Sequence, residues 1–427
     1  MVPGAQSGTI VALSSGRPPA AIAVVRTSGP AAFAAAEALA GRLPEPRRAV
    51  LRRLVDPRDG SLIDEALILR FNAPVSSTGE NIVEYQCHGG RATVDALITA
   101  LLDRPGFRLA EPGEFTRRAL ANGRIDLTEA EGLAELLTAE TELQRRSAMA
   151  RAGGGLRMRL DAWRERLLTL AAQAEVAIDY ADEEEGAEPA ILSTAIRQLA
   201  SDMAELVNAP RVEPLRDGIR VVVAGPPNAG KSSLVNALAQ SEKAIVTHVA
   251  GTTRDVIEVP IAIGGVPFLL VDTAGLRESD NVVESIGIDR ARVEAERADI
   301  LLWLGEPGDA PDHPGLIRVA AKADLGAPGS GLPVSAVTGL GLPELTNALL
   351  ERAGELLPRG DELAVDRRQH ELLRDAQQAL QRASLLSDPV LIAEELRGAR
   401  SAVDKISGRA GVEELLDALF GRFCLGK

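Results

Sequence analysis

The stretch that decides the fold reads Val221-Val-Val-Ala-Gly-Pro-Pro-Asn-Ala-Gly-Lys-Ser-Ser233. An apolar run leads into a loop bounded by glycines, and a Leu-rich helical pattern follows. Gly225, Gly230, Lys231 and Ser232 complete the pattern G-x-x-x-x-G-K-[ST]. Glycines let backbone N–H groups close around phosphate oxygens, Lys231 neutralises β/γ-phosphate charge, and the Ser232 hydroxyl ligates magnesium. The stretch therefore predicts a nucleotide-binding loop.

Length and composition limit the possible functions. A chain of 427 residues predicts two or three domains. The net charge of -14 argues against a broad, nonspecific nucleic-acid surface, so any RNA contact should be local or shared with a partner. Cys87 and Cys424 have no paired spacing, which argues against disulfides and zinc and favours a reducing compartment. No segment resembles a signal peptide or membrane span, so we expect a soluble cytoplasmic protein.

Residues 1–118 carry a mixed pattern with frequent Gly and Pro, which predicts an α+β domain. Its clearest segments are an apolar run at Ala20 to Val25, an Ala-rich helical stretch at Pro30 to Ala40 and a strand-like run at Ala66 to Leu69. Apolar positions at helical spacing then dominate residues 119–217 and return over residues 359–427.

Residues 218–358 alternate strand, loop and helix, which predicts a doubly wound α/β domain with its ligand at the carboxyl ends of the strands. Its predicted strands are Arg220 to Ala224, Val256 to Ile263, Phe268 to Val271, Asp299 to Leu304, Ile317 to Ala320 and Leu332 to Val334. Val212 to Gly218 reads as a linker. Since helical segments flank the α/β unit, the sequence predicts a P-loop nucleotide domain inserted into a split helical domain.

Two further motifs follow the loop. Gly251-Thr-Thr-Arg-Asp255 offers a threonine that can reach magnesium, and Asp272-Thr-Ala-Gly275 follows a predicted strand. Asp272 would hold magnesium through water, and the Gly275 N–H would contact the γ-phosphate. The order and spacing of these motifs predict a GTPase.

The predicted guanine site departs from the usual Asn-Lys-x-Asp tetrad. Lys322 and Asp324 are in place, but Ala321 lacks the carboxamide that normally supports the loop and meets the base. Ser335-Ala336 can still offer a backbone N–H to the guanine carbonyl. We therefore predict that guanine preference is retained with weakened affinity.

The hydrolytic residue is ambiguous from the motifs alone. Leu276 stands where Ras-like proteins have a water-orienting glutamine. Three downstream acids could act as the base instead: Glu278, Asp280 and Glu284. The second positive charge could come from Arg254 or Arg277, or from a monovalent cation held by Asn228 and backbone carbonyls. Spacing leaves these alternatives open.

Several longer motifs occur along the chain. In the nucleotide domain they are Asn228, Ile245-Val-Thr-His-Val-Ala-Gly-Thr-Thr-Arg-Asp255, Asp272-Thr-Ala-Gly-Leu-Arg277 and Ser285-Ile-Gly-Ile288. Elsewhere they are Val24-Val-Arg-Thr-Ser-Gly29, Thr78-Gly-Glu-Asn-Ile-Val-Glu84, His88-Gly-Gly90, Ala110-Glu-Pro-Gly-Glu-Phe-Thr116 and Phe423-Cys-Leu-Gly-Lys427. Together these motifs resemble the MnmE (TrmE) family of tRNA-modification GTPases, and the resemblance spans essentially the whole chain.

The resemblance implies a Ras-like GTPase domain within a split helical domain, and roles for residues at matching positions. Glu284 matches the water-orienting acid, and Ser232 and Thr253 match the magnesium ligands. The potassium ligands match Asn228, Thr247, Val249 and Thr252. The nucleotide contacts fall on Asn228, Ala229, Gly230, Lys231, Ser232, Ser233, Thr247, His248, Val249, Ala250, Gly251, Thr252, Thr253, Asp272, Thr273, Ala274, Gly275, Lys322, Asp324, Ser335 and Ala336.

The resemblance also implies an N-terminal α+β domain that dimerises and binds 5-formyl- or 5,10-methylenetetrahydrofolate. Its folate contacts fall on Arg26, Glu84, Arg124 and Lys427, with Cys424 in a possible supporting role. The family position of Arg124 is commonly lysine. Family members form a homodimer and a heterotetramer with the FAD-binding protein MnmG (GidA). The pair adds an aminomethyl-type group at carbon 5 of the tRNA wobble uridine.

Two alternatives share some of these motifs. A ribosome-assembly GTPase of the Era or Der type would carry a KH-like RNA-binding appendage or a second GTPase unit, whereas this sequence has one P-loop and no evident basic G-x-x-G clamp. A folate enzyme with a vestigial nucleotide domain conflicts with the intact P-loop.

Overall fold

The computed structural model describes residues 8–179, 189–241, 243–244, 257–272, 293–326, 330–358, 363–410, 413–421, 423 and 426. These residues form two compact units. The first, the N-terminal unit, draws on Met1–Ala134, Leu156–Asp161 and Asp404–Lys427, and the second, the nucleotide unit, on Glu135–Gly155 and Ala162–Val403. The domain boundaries predicted after residues 118, 217 and 358 stay predictions.

The N-terminal unit is built on a six-stranded mixed sheet. Its strands are β1 (Thr9–Leu13), β2 (Ala20–Ser28), β3 (Val50–Val55), β4 (Leu62–Phe71), β5 (Ile82–Gly89) and β6 (Phe107–Leu109). Their order is β3-β4-β5-β2-β1-β6. Neighbouring strands are antiparallel except β1 and β6, which are parallel.

Helices cover one side of this sheet. Residues of Ala32–Ala40 and Arg91–Leu102 form one buried cluster with Val25, Ile68 and Tyr85 of the strands. Alternate residues point to the other side. That side, which we call the open face, carries Arg26, Glu84, Gln86 and His88. Isolated apolar side chains also lie exposed there, including Ile22 and Leu67.

Further helices complete the N-terminal unit. They include Glu114–Ala121, the start of Leu127–Thr138, and Glu413–Phe420. Leu127, Leu416, Phe420 and Phe423 form a separate buried cluster. The C-terminal helix therefore packs with residues about 300 positions earlier in the sequence, as the Arg117–Asp417 ion pair also shows.

The nucleotide unit contains a seven-stranded sheet. Its strands are β7 (Ile219–Ala224), β8 (Lys243–Ala244), β9 (Ile257–Ile263), β10 (Val266–Asp272), β11 (Ile300–Trp303), β12 (Leu316–Ala321) and β13 (Leu332–Val334). The order is β13-β12-β11-β7-β10-β9-β8. The strands from β13 to β10 run parallel, whereas β9 pairs antiparallel with β10 and β8.

Strand β7 lies in the middle of the sheet, which explains why its sequence is a continuous apolar run. Val221 and Val223 belong to the buried cluster on one face, and Val222 and Ala224 to the cluster on the other. A parallel strand covered on both faces cannot alternate polar and apolar residues. The six strands predicted from Arg220 onward are confirmed, with ends that differ by at most two residues.

Most helices of the nucleotide unit also match the predicted helical stretches. The described helices in or entering this unit are Leu127–Thr138, Glu142–Ala152, Gly155–Asp179, Pro189–Val207, Glu213–Asp217, Lys231–Ser241, Leu342–Leu356, Arg367–Ala383 and Pro389–Ile406. Reciprocal capping boxes fix two helix starts, at Thr141 with Gln144 and at Asp366 with Gln369.

The predicted linker at Val212 to Gly218 is wrong in its local structure. It contains the short helix Glu213–Asp217, with Leu215 only 1% exposed within the core of the sheet. Gln144 donates hydrogen bonds to the carbonyls of Leu215 and Arg216 at 3.1 and 3.3 Å. In sequence, this stretch resembles a linker because charged residues surround a single leucine. The burial of that leucine depends on contacts with the sheet, which the local sequence does not indicate.

Candidate functional site

The loop Gly225 to Gly230 lies where β7 ends and helix Lys231–Ser241 begins. Its backbone needs the left-handed region at Gly225 (φ 150°), Gly230 (φ 98°) and Asn228 (φ 60°). At Gly225 a Cβ atom would also lie 3.2 Å from backbone carbon of Leu304. Steric restrictions therefore explain the glycines at positions 225 and 230, and Asn is one of the few other residues that tolerates a positive φ.

Lys231 is held across this loop. The residue is 5% exposed, and its ammonium donates to the carbonyl oxygens of Gly225 at 3.1 Å and Pro226 at 2.9 Å. Ser232 and Ser233 occupy the exposed first turn of the helix. Backbone N–H groups and the positive end of the helix dipole favour an anion at this helix start.

Asp272 lies beside this loop because β10 and β7 are parallel neighbours. The residue ends β10, pairs in register with Val223, and is 4% exposed. Lysine and aspartate are therefore both brought to the same sheet edge, at the carboxyl ends of adjacent strands. Such an arrangement can bind a phosphate together with a divalent cation.

A cavity of about 300 Å³ adjoins the loop. It is lined by Gly230, Ser233, Leu234, Val319, Ala321, Lys322, Asp324, Leu325, Val334, Ala336 and Val337. The mostly apolar walls and the few polar groups suit a flat heterocycle recognised along one edge. The site thus joins a phosphate-binding loop to a base-sized pocket.

Lys322 connects the two parts of the site. It adopts φ 60°, and its ammonium donates to the carbonyl of Asn228 at 2.7 Å. Its Cε atom lies 3.9 Å from the position that a Cβ atom would take on Gly230. The aliphatic part of this side chain therefore runs along the loop and forms one wall of the cavity.

The Ser335–Ala336 backbone is fixed by local hydrogen bonds. The buried Ser335 donates its N–H to Leu340 O at 2.9 Å, and its hydroxyl oxygen accepts from the N–H groups of Val337 and Thr338. The Ser335 amide is thus already used. Among the described residues, no hydrogen-bond acceptor contacts the Ala336 amide.

The described part of the predicted nucleotide site is brought together by the fold. It comprises Asn228, Ala229, Gly230, Lys231, Ser232, Ser233, Asp272, Lys322, Asp324, Ser335 and Ala336. Other predicted residues lie outside the described residues: Thr247, His248, Val249, Ala250, Gly251, Thr252, Thr253, Thr273, Ala274, Gly275 and Glu284. Sequence reasoning missed the apolar walls of the cavity, which are Leu234, Val319, Leu325, Val334 and Val337. These residues come from a helix, two strands and two loops, and no motif in the sequence marks them.

Arg26 and Glu84, which are 58 residues apart, face each other on the open face. They are register partners on β2 and β5, and Arg26 donates from Nε and Nη2 to Glu84 Oε1 at 2.9 and 2.8 Å. Their side chains are 23% and 17% exposed, and the guanidinium lies 5.7 Å from the ring centroid of Phe115. The pair offers a charged, planar edge to a ligand.

Arg124 is found elsewhere in the same unit. Its Nε donates to Ser76 O at 3.0 Å, in the loop that precedes β5. Gly426 reaches the end of β1, where its carbonyl accepts from the Ser14 hydroxyl at 2.9 Å. Lys427 and Cys424 lie outside the described residues.

A buried ionic network, missed from the sequence, braces this unit. Arg118, with a side chain 6% exposed, bonds to Glu114 and to Glu80 at 3.0 and 2.9 Å, and Arg108 pairs with Glu114. Burial opposes ionisation of Glu114, but hydrogen bonds from Arg108 and Arg118 outweigh it and hold its pKa below the ordinary value. Charged residues in an amphipathic stretch gave no signal of burial.

Among the residues that the structure describes, no helix has the length and hydropathy needed to span a membrane. No cluster of three or more His, Cys, Asp and Glu side chains occurs there that could hold a metal ion. A magnesium ion held by one hydroxyl and phosphate oxygens would not need such a cluster.

Comparisons with known proteins agree with this architecture. Residues 9–124 match the family model described as the GTP-binding protein TrmE N-terminus, and residues 127–424 match the MnmE helical domain. The tRNA modification GTPase MnmE of Erythrobacter litoralis is 54% identical over 423 residues, covering 98% of this chain and 100% of that protein. The protein of that name from Rhizorhabdus wittichii is 53% identical, covering 100% of this chain and 98% of that protein.

A solved structure, the G domain of the T. maritima FeoB iron transporter, is 25% identical over 32% of this chain and 98% of that domain, with a TM-score of 0.22. That score is too low to support a structural conclusion. The two family models together span most of the chain, and the relatives are similar along their whole length. The predicted fold class and family are confirmed, and the chain belongs to the MnmE family of tRNA modification GTPases.

Proposed function

We propose that this protein hydrolyses GTP in a magnesium- and potassium-dependent manner and couples hydrolysis to modification of the tRNA wobble uridine. The observation that carries the proposal is the nucleotide site, where Lys231, Asp272 and a base-sized cavity meet at one sheet edge. The family relationship along the whole chain supports the RNA-modifying role.

The phosphate site fits a triphosphate with magnesium. Lys231 is already directed across the loop and needs to exchange its two carbonyl acceptors for phosphate oxygens. Ser232 and Thr253 would ligate magnesium directly, and Asp272 would do so through water. Magnesium neutralises phosphate charge when bound, whereas the chain's own contribution is to position its ligands.

The base site fits guanine in two ways. Asp324, in the turn Ala323–Leu325 at the cavity, can accept from the two N–H groups of the guanine edge. The Ala336 amide can donate to the guanine carbonyl, because the Ser335 amide is bonded to Leu340. Ala321 offers no polar group, so we expect weaker binding than a site with asparagine there would give.

Potassium would be held by the Asn228 side chain and by Thr247, Val249 and Thr252. Asn228 is exposed on the loop and adopts a positive φ of 60°. Potassium supplies a positive charge at the phosphates, in the role of an arginine finger. Glu284 would orient the attacking water and act as the catalytic residue.

The open face would bind a tetrahydrofolate, either 5-formyl- or 5,10-methylenetetrahydrofolate. Glu84 can accept from the N–H edge of a pterin, since Arg26 occupies Oε1 and leaves its other oxygen for a ligand. Gly426 docks at β1, which pairs with β2 next to Arg26. Gly426, the residue before Lys427, therefore lies in the same unit as Arg26, as expected if Lys427 binds the ligand. Arg124 and Cys424 complete the proposed set of folate contacts.

The partners follow from the family. We propose a homodimer through the N-terminal domain, residues 1–118, and a heterotetramer with the FAD-binding protein MnmG, acting on tRNA in the cytoplasm. The helical segments, 119–217 and 359–427, would carry changes in the G domain, 218–358, to the rest of the complex. A folate-derived carbon would become part of the (carboxymethyl)aminomethyl group at carbon 5 of the uridine.

Two experiments test the two halves of this function. GTP hydrolysis by the purified chain should be fast in potassium and slow in sodium at equal ionic strength. Nucleosides from a strain that lacks the gene should lose the wobble-uridine modification, and the intact gene should restore it. Normal modified nucleosides in the deletion strain would reject the tRNA role, and equal rates in the two salts would reject the potassium role.

A further inference from the structure

The outer edge of the N-terminal sheet carries a local excess of positive charge. Strand β3 comes first in the strand order, so no other described strand pairs with its outer side. Residues 41–54, which cover most of β3 and the loop before it, contain five arginines and one acidic residue, Glu45, whereas the whole chain has a net charge of -14. Such a segment is where a protein of acidic overall charge can contact a polyanion.

Four of these arginines have no acidic partner. We call them the arginine edge: Arg42, Arg47, Arg48 and Arg52. The first three are exposed and the last is partly buried, and among the described residues no acidic side chain lies within ion-pairing distance of any of them. Pairing resumes further along the chain, where Arg53 lies 4.0 Å from Glu65 and Arg58 lies 2.6 Å from Asp56. The charges of the arginine edge are therefore not neutralised by the unit that carries them.

Main-chain carbonyl groups hold two of the guanidinium groups in place. Arg52 donates from Nε to Arg42 O and from Nη1 to Leu51 O, both at 3.2 Å. Arg47 donates from Nη2 to Val75 O at 2.8 Å. A guanidinium has five N–H donors, so each of these two groups keeps at least three for a ligand. The carbonyls orient the groups without cancelling their charge, which lowers the entropy lost when a ligand binds.

The backbone of Arg47 adopts a conformation that is uncommon for arginine. Its φ is 61°, in the left-handed region, and its N–H donates to Arg70 O at 3.0 Å. The guanidinium lies 5.7 Å from the ring centroid of Phe71. A left-handed conformation costs free energy for residues other than glycine, so the surrounding contacts must hold this arginine in place.

Protection of the sheet edge does not explain this composition. Charges on an edge strand prevent pairing between copies of a protein, but charges of either sign serve that purpose. An acidic protein partner is also a poor fit, because protein interfaces have an apolar centre. Within residues 41–54, all of which the structure describes, the one exposed large apolar side chain is Leu51, which alternates with Arg52 and lies on the open face beside Leu67.

We propose that the arginine edge binds the phosphate backbone of the tRNA substrate. The identity of this RNA rests on the proposed function, whereas the preference for a polyanion comes from the unpaired charges themselves. Guanidinium groups donate two parallel hydrogen bonds to phosphate oxygens. Phosphate contacts fix the position of a nucleic acid without reading its sequence, so this edge contributes equally to the binding of every tRNA.

The test measures fluorescence anisotropy of a labelled, unmodified tRNA transcript with the full chain over a range of potassium chloride concentrations. The variant carries Arg48→Gln and Arg52→Gln together. The matched control carries Arg17→Gln and Arg91→Gln, which remove two exposed arginines of the same unit. These follow β1 and β5, which are four and two strands away from β3. At about 4.8 Å per strand, both are further away than the Debye length of about 8 Å at physiological salt.

The expected loss follows from the release of counterions. Each phosphate contact contributes about 0.7 to 0.9 to the slope of log affinity against log salt, so the loss of two contacts should lower that slope by about 1.4 to 1.8. Because this contribution vanishes near 1 M salt, binding at 0.1 M salt should weaken about 25- to 60-fold. The control pair should keep the slope of the unaltered protein. Both variants should keep the rate of GTP hydrolysis and the molecular mass in solution, which shows that they are folded.

Other results would overturn the RNA contact. Unchanged tRNA binding by the variant, or an equal loss in the control pair, would refute it. A changed molecular mass would assign the edge to an interface between copies of the chain. Loss of the FAD-binding partner with unchanged tRNA affinity would assign the edge to that protein.

A complementation experiment separates this contact from the proposed function. If a strain that lacks the gene keeps its wobble-uridine modification, the proposed function fails, and the anisotropy measurement still decides whether the edge binds RNA. If the unaltered gene restores the modification and the variant gene restores it equally, with unchanged tRNA affinity, only the contact at the arginine edge is refuted.

Discussion

A single substitution at Ala321 should raise the affinity of the protein for guanine nucleotides. It ends β12, pairs in register with Val334 and lines the base cavity. Asparagine there would place a carboxamide at the edge of the bound base, where N7 of guanine accepts a hydrogen bond. We predict that Ala321→Asn binds GDP and GTP more tightly.

The expected gain can be estimated. One net hydrogen bond contributes about 1 kcal/mol, which corresponds to about a fivefold lower Kd. The cavity measures about 300 Å³ and the Ala321 side chain is only partly buried in the core, so the larger side chain should fit without overpacking. The gain should therefore not be cancelled by strain.

Calorimetry with GDP and magnesium would measure the gain. Ala321→Leu is the matched control, because leucine resembles asparagine in shape but offers no donor. The gain should disappear with 7-deaza-GDP, which lacks the acceptor at that ring position. An equal gain for Ala321→Leu, or an undiminished gain with 7-deaza-GDP, would refute the hydrogen-bond explanation.

Three other predictions concern separate parts of the molecule. Glu284→Ala should bind GTP with unchanged affinity but lose turnover because the attacking water is no longer oriented, as phosphate release would measure; unchanged turnover would remove Glu284 from its role. Glu84→Ala should lose 5-formyltetrahydrofolate binding in calorimetry, and retained binding would count against the open face as the folate site. Glu114→Gln should lower the free energy of unfolding by about 3 kcal/mol at pH 7, because it leaves Arg108 and Arg118 with a neutral partner. Since the folded pKa of Glu114 is depressed, this stabilisation is complete above its unfolded pKa near 4.5 and is lost as pH falls through the folded pKa, so urea unfolding of wild type and variant should converge in acid; a constant difference down to pH 3 would contradict the assignment.

The sequence predicted those features whose cause is local. The phosphate loop follows from glycine and lysine spacing, and β7 follows from a continuous apolar run. The capping box at Thr141 and Gln144, which was not predicted, also depends on residues only three positions apart. Backbone conformation and capping depend on residues a few positions apart, so the amino-acid sequence is sufficient to predict them.

Tertiary structure decided what depends on register and burial between distant segments. Arg26 meets Glu84 only because β2 and β5 pair in one register, and a slip of one residue would turn one of them into the core. The sequence likewise did not predict that Leu215, in a stretch predicted as a linker, is buried. Nor did it predict that the Ser335 amide donates to Leu340 O, which leaves the Ala336 amide for a ligand. The sequence by itself determined that a phosphate would be bound and by which loop; the fold decided which side chains surround it, because those contacts join strands that are far apart along the chain.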